Sequence, residues 1–168
     1  FLTDFDKDGA YYNEARFLRA YYHFILAQAW GDVPLRSSAV TPHDQVMIAV
    51  TPQYDVLDWA AKEMEACTAL APEALDNTPS RIAKTTVHGI LSRVYLFMAG
   101  ESVKGGDKTA LLTNAKNHAD AVIKSAKHQL NPDYSQIFKN MIMDEYDTQY
   151  HESMWEVDFL GDRTSADK

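Results

Sequence analysis

The sequence predicts a mostly α-helical fold, with long helices following one another in pairs and one late β-strand. Three observations predict it. Apolar residues recur at helical spacing through four long stretches. Gly- and Pro-rich breaks separate those stretches. Only the segment around Met154 alternates apolar and charged residues at period two.

Length and composition bound the answer. The chain has 168 residues, 46% hydrophobic and 11% aromatic, which suits one packed domain rather than a disordered chain. It is long enough to bury a core without a metal or a disulfide. Its single cysteine, Cys67, excludes an intramolecular disulfide. There are 16 Lys and Arg against 24 Asp and Glu, a net charge of −8. That balance argues against a nucleic-acid partner, because phosphate binding needs clustered cations. The opening residues, Phe1 to Asp6, have neither the basic nor the apolar region of a signal peptide. The longest charge-free apolar stretch, 20–31, is about half of what a membrane span needs.

The first helix is expected over 13–30. Phe17, Ala20, Tyr21, Phe24, Ile25 and Gln28 fall on one side, with Glu14, Arg16 and Arg19 elsewhere. Gly31 stops it, Asp32-Val33-Pro34-Leu35 is an extended exit, and Trp30 is expected to pack against that turn. Residues 36–50 show no period and read as a surface loop. The second helix, 51–71, opens on Thr51 as N-cap with Pro52 at the first helical position, and Pro72 ends it. Leu57, Ala60, Ala61, Met64, Cys67 and Leu70 form its apolar face. The third helix, 84–99, buries Val87, Ile90, Leu91, Val94, Tyr95 and Met98, with Gly100 as C′ residue. The fourth, 109–126, follows a Gly105-Gly106 turn and presents Leu112, Ala115, Ala119, Val122 and Ile123. Asn131-Pro132-Asp133 breaks it. A short helical turn is expected at 135–139, then the strand Met154-Trp155-Glu156-Val157-Asp158-Phe159.

Motifs for chemistry are weak. Asp144, Glu145, Asp147, Glu152 and Glu156 with His151 resemble a cation site in composition, but their spacing fits no EF-hand loop. They read as a solvated acidic loop, with no metal assigned. His151-Glu152 begins like a zinc-protease motif, but Trp155 stands where the second His is needed. Lys108-Thr109 ends a false P-loop, since Gly106 and Asp107 intervene after Gly105 and no strand precedes. No Ser or Cys has a nucleophile's setting, and no pair among 24 acids is singled out for glycoside hydrolysis. No catalytic residue and no cofactor is assigned. Cys67 reads as a small buried hydrophobe. His23 and His88 read as satisfied helix histidines. Arg16 and Arg19 are expected to pair with acids such as Glu14. Sugars stack on Tyr and Trp faces, and the residues best placed to offer such a platform are Tyr146 and Tyr150, in the irregular acidic stretch.

Four ordered blocks carry a family likeness. Glu14-Ala15-Arg16-Phe17-Leu18-Arg19-Ala20-Tyr21-Tyr22-His23-Phe24 is followed by Trp30-Gly31-Asp32-Val33-Pro34-Leu35. Then come the helix Lys84 to Met98, with Leu91-Ser92-Arg93-Val94-Tyr95 at its centre, the helix Ala115-Lys116-Asn117-His118-Ala119-Asp120-Ala121-Val122-Ile123, and Glu152-Ser153-Met154-Trp155-Glu156-Val157-Asp158-Phe159. In this order they resemble the SusD/RagB family of outer-membrane nutrient-binding lipoproteins of the Bacteroidetes.

The resemblance implies a SusD-like α/α superhelix of tetratricopeptide-like pairs, about 13–30 with 51–71 and 84–99 with 109–126. Leu91, Ser92 and Tyr95 stand at the spacing of a tetratricopeptide first helix. It implies that 152–168 begins the family's C-terminal region, and that the chain is a helical part of a longer protein. It also implies non-catalytic capture of an oligosaccharide or similar nutrient and its delivery to a SusC-like TonB-dependent transporter. The location would be the outer-membrane surface, reached through a lipid anchor absent from this chain. The alternative expectation is a generic tetratricopeptide-like scaffold for protein partners.

Overall fold

The structure is a computed structural model, and it describes residues 9–38, 47–69, 71–74, 79–143 and 145–157. Among these residues the regular elements are five helices and two short strands. They run α1 (Ala10–Trp30), β1 (Val33–Pro34), β2 (Val50–Thr51), α2 (Gln53–Cys67), α3 (Lys84–Met98), α4 (Lys108–Ser125) and α5 (Tyr134–Met143). α1 packs mainly on α2 and α3 on α4, while α2 also meets α3. One continuous core joins the pairs. The chain is therefore mostly helical with helices in pairs, as the periodicity requires.

On α1 the buried side is Asn13, Phe17, Ala20, Phe24 and Ala27. Phe17 and Phe24 are among the largest fully buried side chains, each contributing roughly 1.5–3 kcal/mol of burial. Gln28, expected on this side, is exposed, because the stripe passes through Ala27 instead. Tyr21 lies at the rim of the core, half-buried between Phe24 and Trp155. On α2 the buried residues are Val56, Leu57, Ala60, Ala61, Met64 and Cys67; on α3 they include Val87, Ile90, Leu91, Val94, Tyr95 and Met98. Both faces match the sequence expectation, save that Leu70 lies outside the described residues.

The turn after α1 has a specific construction. Gly31 has φ +76°, a value that disfavours a Cβ, and its N–H bonds the Ala27 carbonyl at 3.0 Å. The chain leaves as β1, which pairs antiparallel with β2 through Val33 opposite Thr51. Asp32 Oδ1 then accepts the N–H of Gln53 at 2.8 Å, and Gln53 Nε2 donates to the Ala27 carbonyl at 2.8 Å. The first N–H of α2 and a last carbonyl of α1 are thus satisfied across one junction. Thr51, expected as N-cap, is taken up by the strand; Pro52 occupies that position, with Asp32 supplying the oxygen. Trp30 is not buried against this turn: it is 71% exposed. Of the expected loop 36–50, residues 39–46 lie outside the described residues and Val50 belongs to β2.

The two arginines of α1 reach across to α2. Arg16 grips Glu63 with Nε at 2.9 Å and Nη2 at 2.8 Å, and Arg19 Nη2 reaches the same carboxylate at 2.7 Å. Glu14, the expected partner, takes Arg81 instead, at 2.6 and 2.7 Å. Helix geometry explains the exchange: Glu14 points toward the α3 entry, while Arg16 and Arg19, three residues apart, share the face that meets α2.

α4 begins at Lys108 because Asp107 Oδ1 accepts the N–H groups of Thr109 and Ala110 at 2.9 and 3.3 Å. Its core contacts are Leu111 and Ala115, with Ala119 and Val122 half-buried. Leu112 and Ile123, expected inside, are 50% and 75% exposed, a rotation of the buried stripe by about one residue. Lys108 itself closes the α3 end: its Nζ lies 3.1, 2.8 and 2.7 Å from the carbonyls of Met98, Gly100 and Val103. Gly100 follows the C-cap Ala99 without a left-handed conformation; its N–H bonds the Phe97 carbonyl at 3.0 Å, and the Lys108 ammonium takes carbonyls further along the turn.

α5 is a full helix rather than the single turn expected at 135–139. Asp133 starts it, accepting both the N–H and the hydroxyl of Ser135. None of its residues is buried. The segment at Met154–Val157 carries no strand among the described residues, and Asp158 and Phe159 lie outside them. Met154 and Trp155 instead seat on the helices. The Met154 carbonyl accepts from Thr86 Oγ1 at 3.0 Å, and Met154 Cε lies 3.0 Å from where a Cβ on Gly89 would stand, so glycine there lets the chain lie close against α3. Trp155 meets Phe17 and Tyr21 edge-on at 5.8 and 5.1 Å.

Candidate functional site

Where α4 ends, the chain folds back against the acidic segment 145–157 and a shallow cavity opens between them. Its volume is about 180 Å³, with walls that include Ala126, His128, Gln129, Gln149, Tyr150 and His151. That is below the ~300–1,000 Å³ of drug-sized ligand sites, and suits one small ring or group.

Each wall is positioned by a local device. Ala126 closes α4 in the left-handed region, φ 53°, with its N–H on the Ile123 carbonyl. His151 has φ 49°, so two non-glycine residues hold uncommon backbone conformations on opposite sides of one cavity. Gln129 N–H donates to the Tyr150 carbonyl at 2.9 Å and ties the two arms together. His128 is pinned at both nitrogens, Nδ1 at 2.6 Å from the His151 carbonyl and Nε2 at 2.9 Å from Thr85 Oγ1 on α3. The wall is therefore wired to the helical core.

Two acids of this segment, Asp147 and Glu152, serve as hydrogen-bond acceptors. Asp147 Oδ1 takes the N–H groups of Gln149 and Tyr150, both at 3.0 Å, and its Oδ2 takes the Asn131 amide at 3.2 Å. Burial opposes the charge, but the donors from Tyr150, Gln149 and Asn131 outweigh it and hold the Asp147 carboxyl below its ordinary range. Glu152 Oε2 accepts the N–H of Asn131 at 2.6 Å. Among the described residues, no three His, Cys, Asp or Glu converge on a point where a metal could sit. Asp144 lies outside the described residues.

The two tyrosines selected from the sequence part ways. Tyr150 lines the cavity, half-buried, with its hydroxyl 3.1 Å from Gln149 Nε2. Tyr146 stands behind His151: its hydroxyl lies 3.3 Å from His151 Nδ1 and 3.4 Å from the Ser153 carbonyl, and its ring is 5.6 Å from the imidazole. Tyr146 supports the wall and Tyr150 forms it. Sequence reasoning missed His128, Gln129 and Gln149. A left-handed alanine and a carbonyl-bound histidine leave no pattern at helical or strand period, so no sequence signal marked them. An aromatic ring beside two amide side chains can stack on the C–H face of a sugar and bond its hydroxyls.

Other groups singled out from the sequence have structural partners. Cys67 is buried under α1, its thiol near the carbonyls of Asn13 and Glu63, and desolvation pushes its pKa up to about 11, so it stays protonated and unreactive. His23 Nδ1 lies 2.8 Å from the Arg19 carbonyl, with its ring against Trp59. His88 pairs with His118. No helix among the described residues is long and apolar enough to cross a membrane.

The family model described as SusD-like, starch-binding and associating with the outer membrane matches residues 3–96. A SusD homologue from Bacteroides thetaiotaomicron has a similar structure, with TM-score 0.73 and 27% identity over 83% of this chain and 26% of that one. A SusD-like protein from Bacteroides fragilis aligns with TM-score 0.67 and 18% identity over 89% of this chain and 27% of its own, a likeness of fold. The chain thus spans about a quarter of the length of these structures. No curated protein matches the sequence.

Proposed function

The chain belongs to the SusD-like family, and from that premise we propose that it is the helical part of a nutrient-binding component of a SusC/SusD-like uptake system. The match over residues 3–96, described as starch-binding and associating with the outer membrane, is the observation that carries the proposal. The pairs 13–30 with 51–71 and 84–99 with 109–126 serve as tetratricopeptide-like scaffold, and 152–168 begins the family's C-terminal region. The protein captures an oligosaccharide without breaking a bond and passes it to a TonB-dependent transporter at the cell surface, where a lipid anchor holds it. On this reading Tyr150, with Gln129 and Gln149, touches the ligand, and Tyr146 holds His151 in place. The exposed stripe of Tyr22, Leu26 and Trp30 on α1 offers a surface to the transporter.

Calorimetry of the protein against a panel of starch-derived and other oligosaccharides tests the proposal. One glycan class should bind with no sugar released. Tyr150→Ala should weaken it at least tenfold, while Tyr146→Phe changes it less than threefold. Turnover of the glycan, or silence across the panel together with failure to co-purify with a transporter, would overturn the reading.

A further inference from the structure

His88 on α3 and His118 on α4 face each other with Nδ1 to Nδ1 at 2.8 Å. The rings tilt by 37° with centroids 5.1 Å apart. This is a hydrogen-bond distance. Two nitrogens bound to one zinc ion, each about 2.0–2.1 Å from it in a tetrahedron, would stand roughly 3.3 Å apart, so the pair shares a proton rather than a metal. At least one of the two Nδ1 atoms must lack a proton for the bond to exist.

The surroundings span three helices. Glu65 of α2 has Oε1 3.8 Å from His118 Nε2, and the same oxygen accepts the Tyr95 hydroxyl of α3 at 2.5 Å. The Tyr95 ring stacks on His118 at 5.6 Å and 10°. On the other side, Glu73 and Lys84 act on His88 with opposite sign, and they pair with each other at 2.5 Å. Lys127 acts on Glu73, while Asp58 and Tyr54 act on Tyr95. Among the described residues, no further charge acts on either ring. With Glu65 beside His118 Nε2, the neutral pair is arranged with His118 protonated at Nε2 and His88 donating from Nδ1. A first proton is accommodated by reversing the donor: His118 becomes an imidazolium facing Glu65, and His88 accepts. A second proton leaves two N–H groups pointing at each other.

We propose that His88 and His118 form a one-proton latch between α3 and α4, closed when the pair holds at most one proton and loosened when it holds two. Burial lowers the proton affinity of both rings, and for His88 the proximity of His118 lowers it further. The folded chain therefore binds fewer protons than the unfolded chain below the ordinary histidine value of about 6.5, and stability falls as pH drops through that value.

Long-range ¹H–¹⁵N spectra of the 168-residue chain, taken from pH 8 to pH 4, follow both rings, and thermal melts at pH 7.5 and 5 follow stability. Both rings should titrate below about 6.5 in two separate steps. The wild type should lose roughly 2–4 °C more in melting temperature between the two pH values than His118→Gln, which keeps a hydrogen-bonding group and cannot gain the second charge. Equal losses in the two proteins, or either ring titrating at or above 6.5, would overturn the latch. If His118→Gln does not fold, the ring titration of the wild type decides by the same criterion.

Discussion

Replacing Glu63 by Gln removes one charge from the junction of α1 and α2 while keeping its shape. The carboxylate accepts three charge-assisted bonds, two from Arg16 and one from Arg19, at 2.7–2.9 Å. Such bonds contribute ~1.5–3 kcal/mol each when shielded, and about 0–1 kcal/mol in open solvent. Side-chain exposures of 28% for Arg16, 37% for Arg19 and 18% for Glu63 place this cluster between the limits. The amide retains one oxygen as a neutral acceptor and offers an NH₂ group to the guanidinium donors. A net loss of about 2 kcal/mol follows, equal to roughly 4–8 °C in melting temperature for a chain of this size. Arg19 amplifies it, because among the described residues its buried Nε has no hydrogen-bond partner and the side chain depends on its contacts with Glu63 and the Ser37 carbonyl. Urea unfolding should show a lower midpoint with unchanged slope. A cycle with Arg16→Met should return a coupling above ~1 kcal/mol. The carboxyl is also held below its ordinary value of 4.5, chiefly by the Arg16 hydrogen bond, against the opposing effect of burial. Its contribution is therefore complete above pH 4.5 and is lost as pH falls below that, a slope absent from Glu63→Gln. A loss under ~0.5 kcal/mol, or no coupling to Arg16, would show that the cluster behaves as an ordinary surface ion pair and would refute the reasoning.

Two further substitutions test the helix junctions. Lys108→Met removes the ammonium from the carbonyls of Met98, Gly100 and Val103; it should cost about 1–3 kcal/mol and speed amide exchange at 98–103, and a change within 0.5 kcal/mol would deny the ammonium its role. Asp32→Ala should cost ~0.5–2 kcal/mol in thermal melts through the lost cap on Gln53, with Asp32→Asn nearly neutral; equal losses for both would assign the effect to charge instead of capping.

The helices were legible because burial imposes a period. Every third or fourth residue of α2 and α3 must be apolar for the pairs to close, and each described residue expected on those faces is buried, with Val56, Thr85 and Thr86 added to them. On α4 the same argument misassigned Leu112 and Ile123. A helix rich in alanine carries a weak stripe, and which side is inside is set by the neighbour it meets. Glu14, Arg16 and Arg19 were visible as charges, yet their partners Arg81 and Glu63 lie 44 to 67 residues away along the chain. No local pattern encodes that distance.

Of the candidate site, the sequence marked Tyr146 and Tyr150 as aromatic residues outside regular structure. Only the tertiary arrangement separated wall from support, because that depends on how His151 turns the chain and where Thr85 anchors His128. Family membership is written in the order of short blocks along the chain, Glu14 to Phe24 first among them. The cavity and the paired histidines are different in kind. They exist because α4 returns antiparallel to α3 and the segment after α5 lies back against α3 and the residues that follow α4, which brings together side chains that the sequence keeps 23 to 43 residues apart.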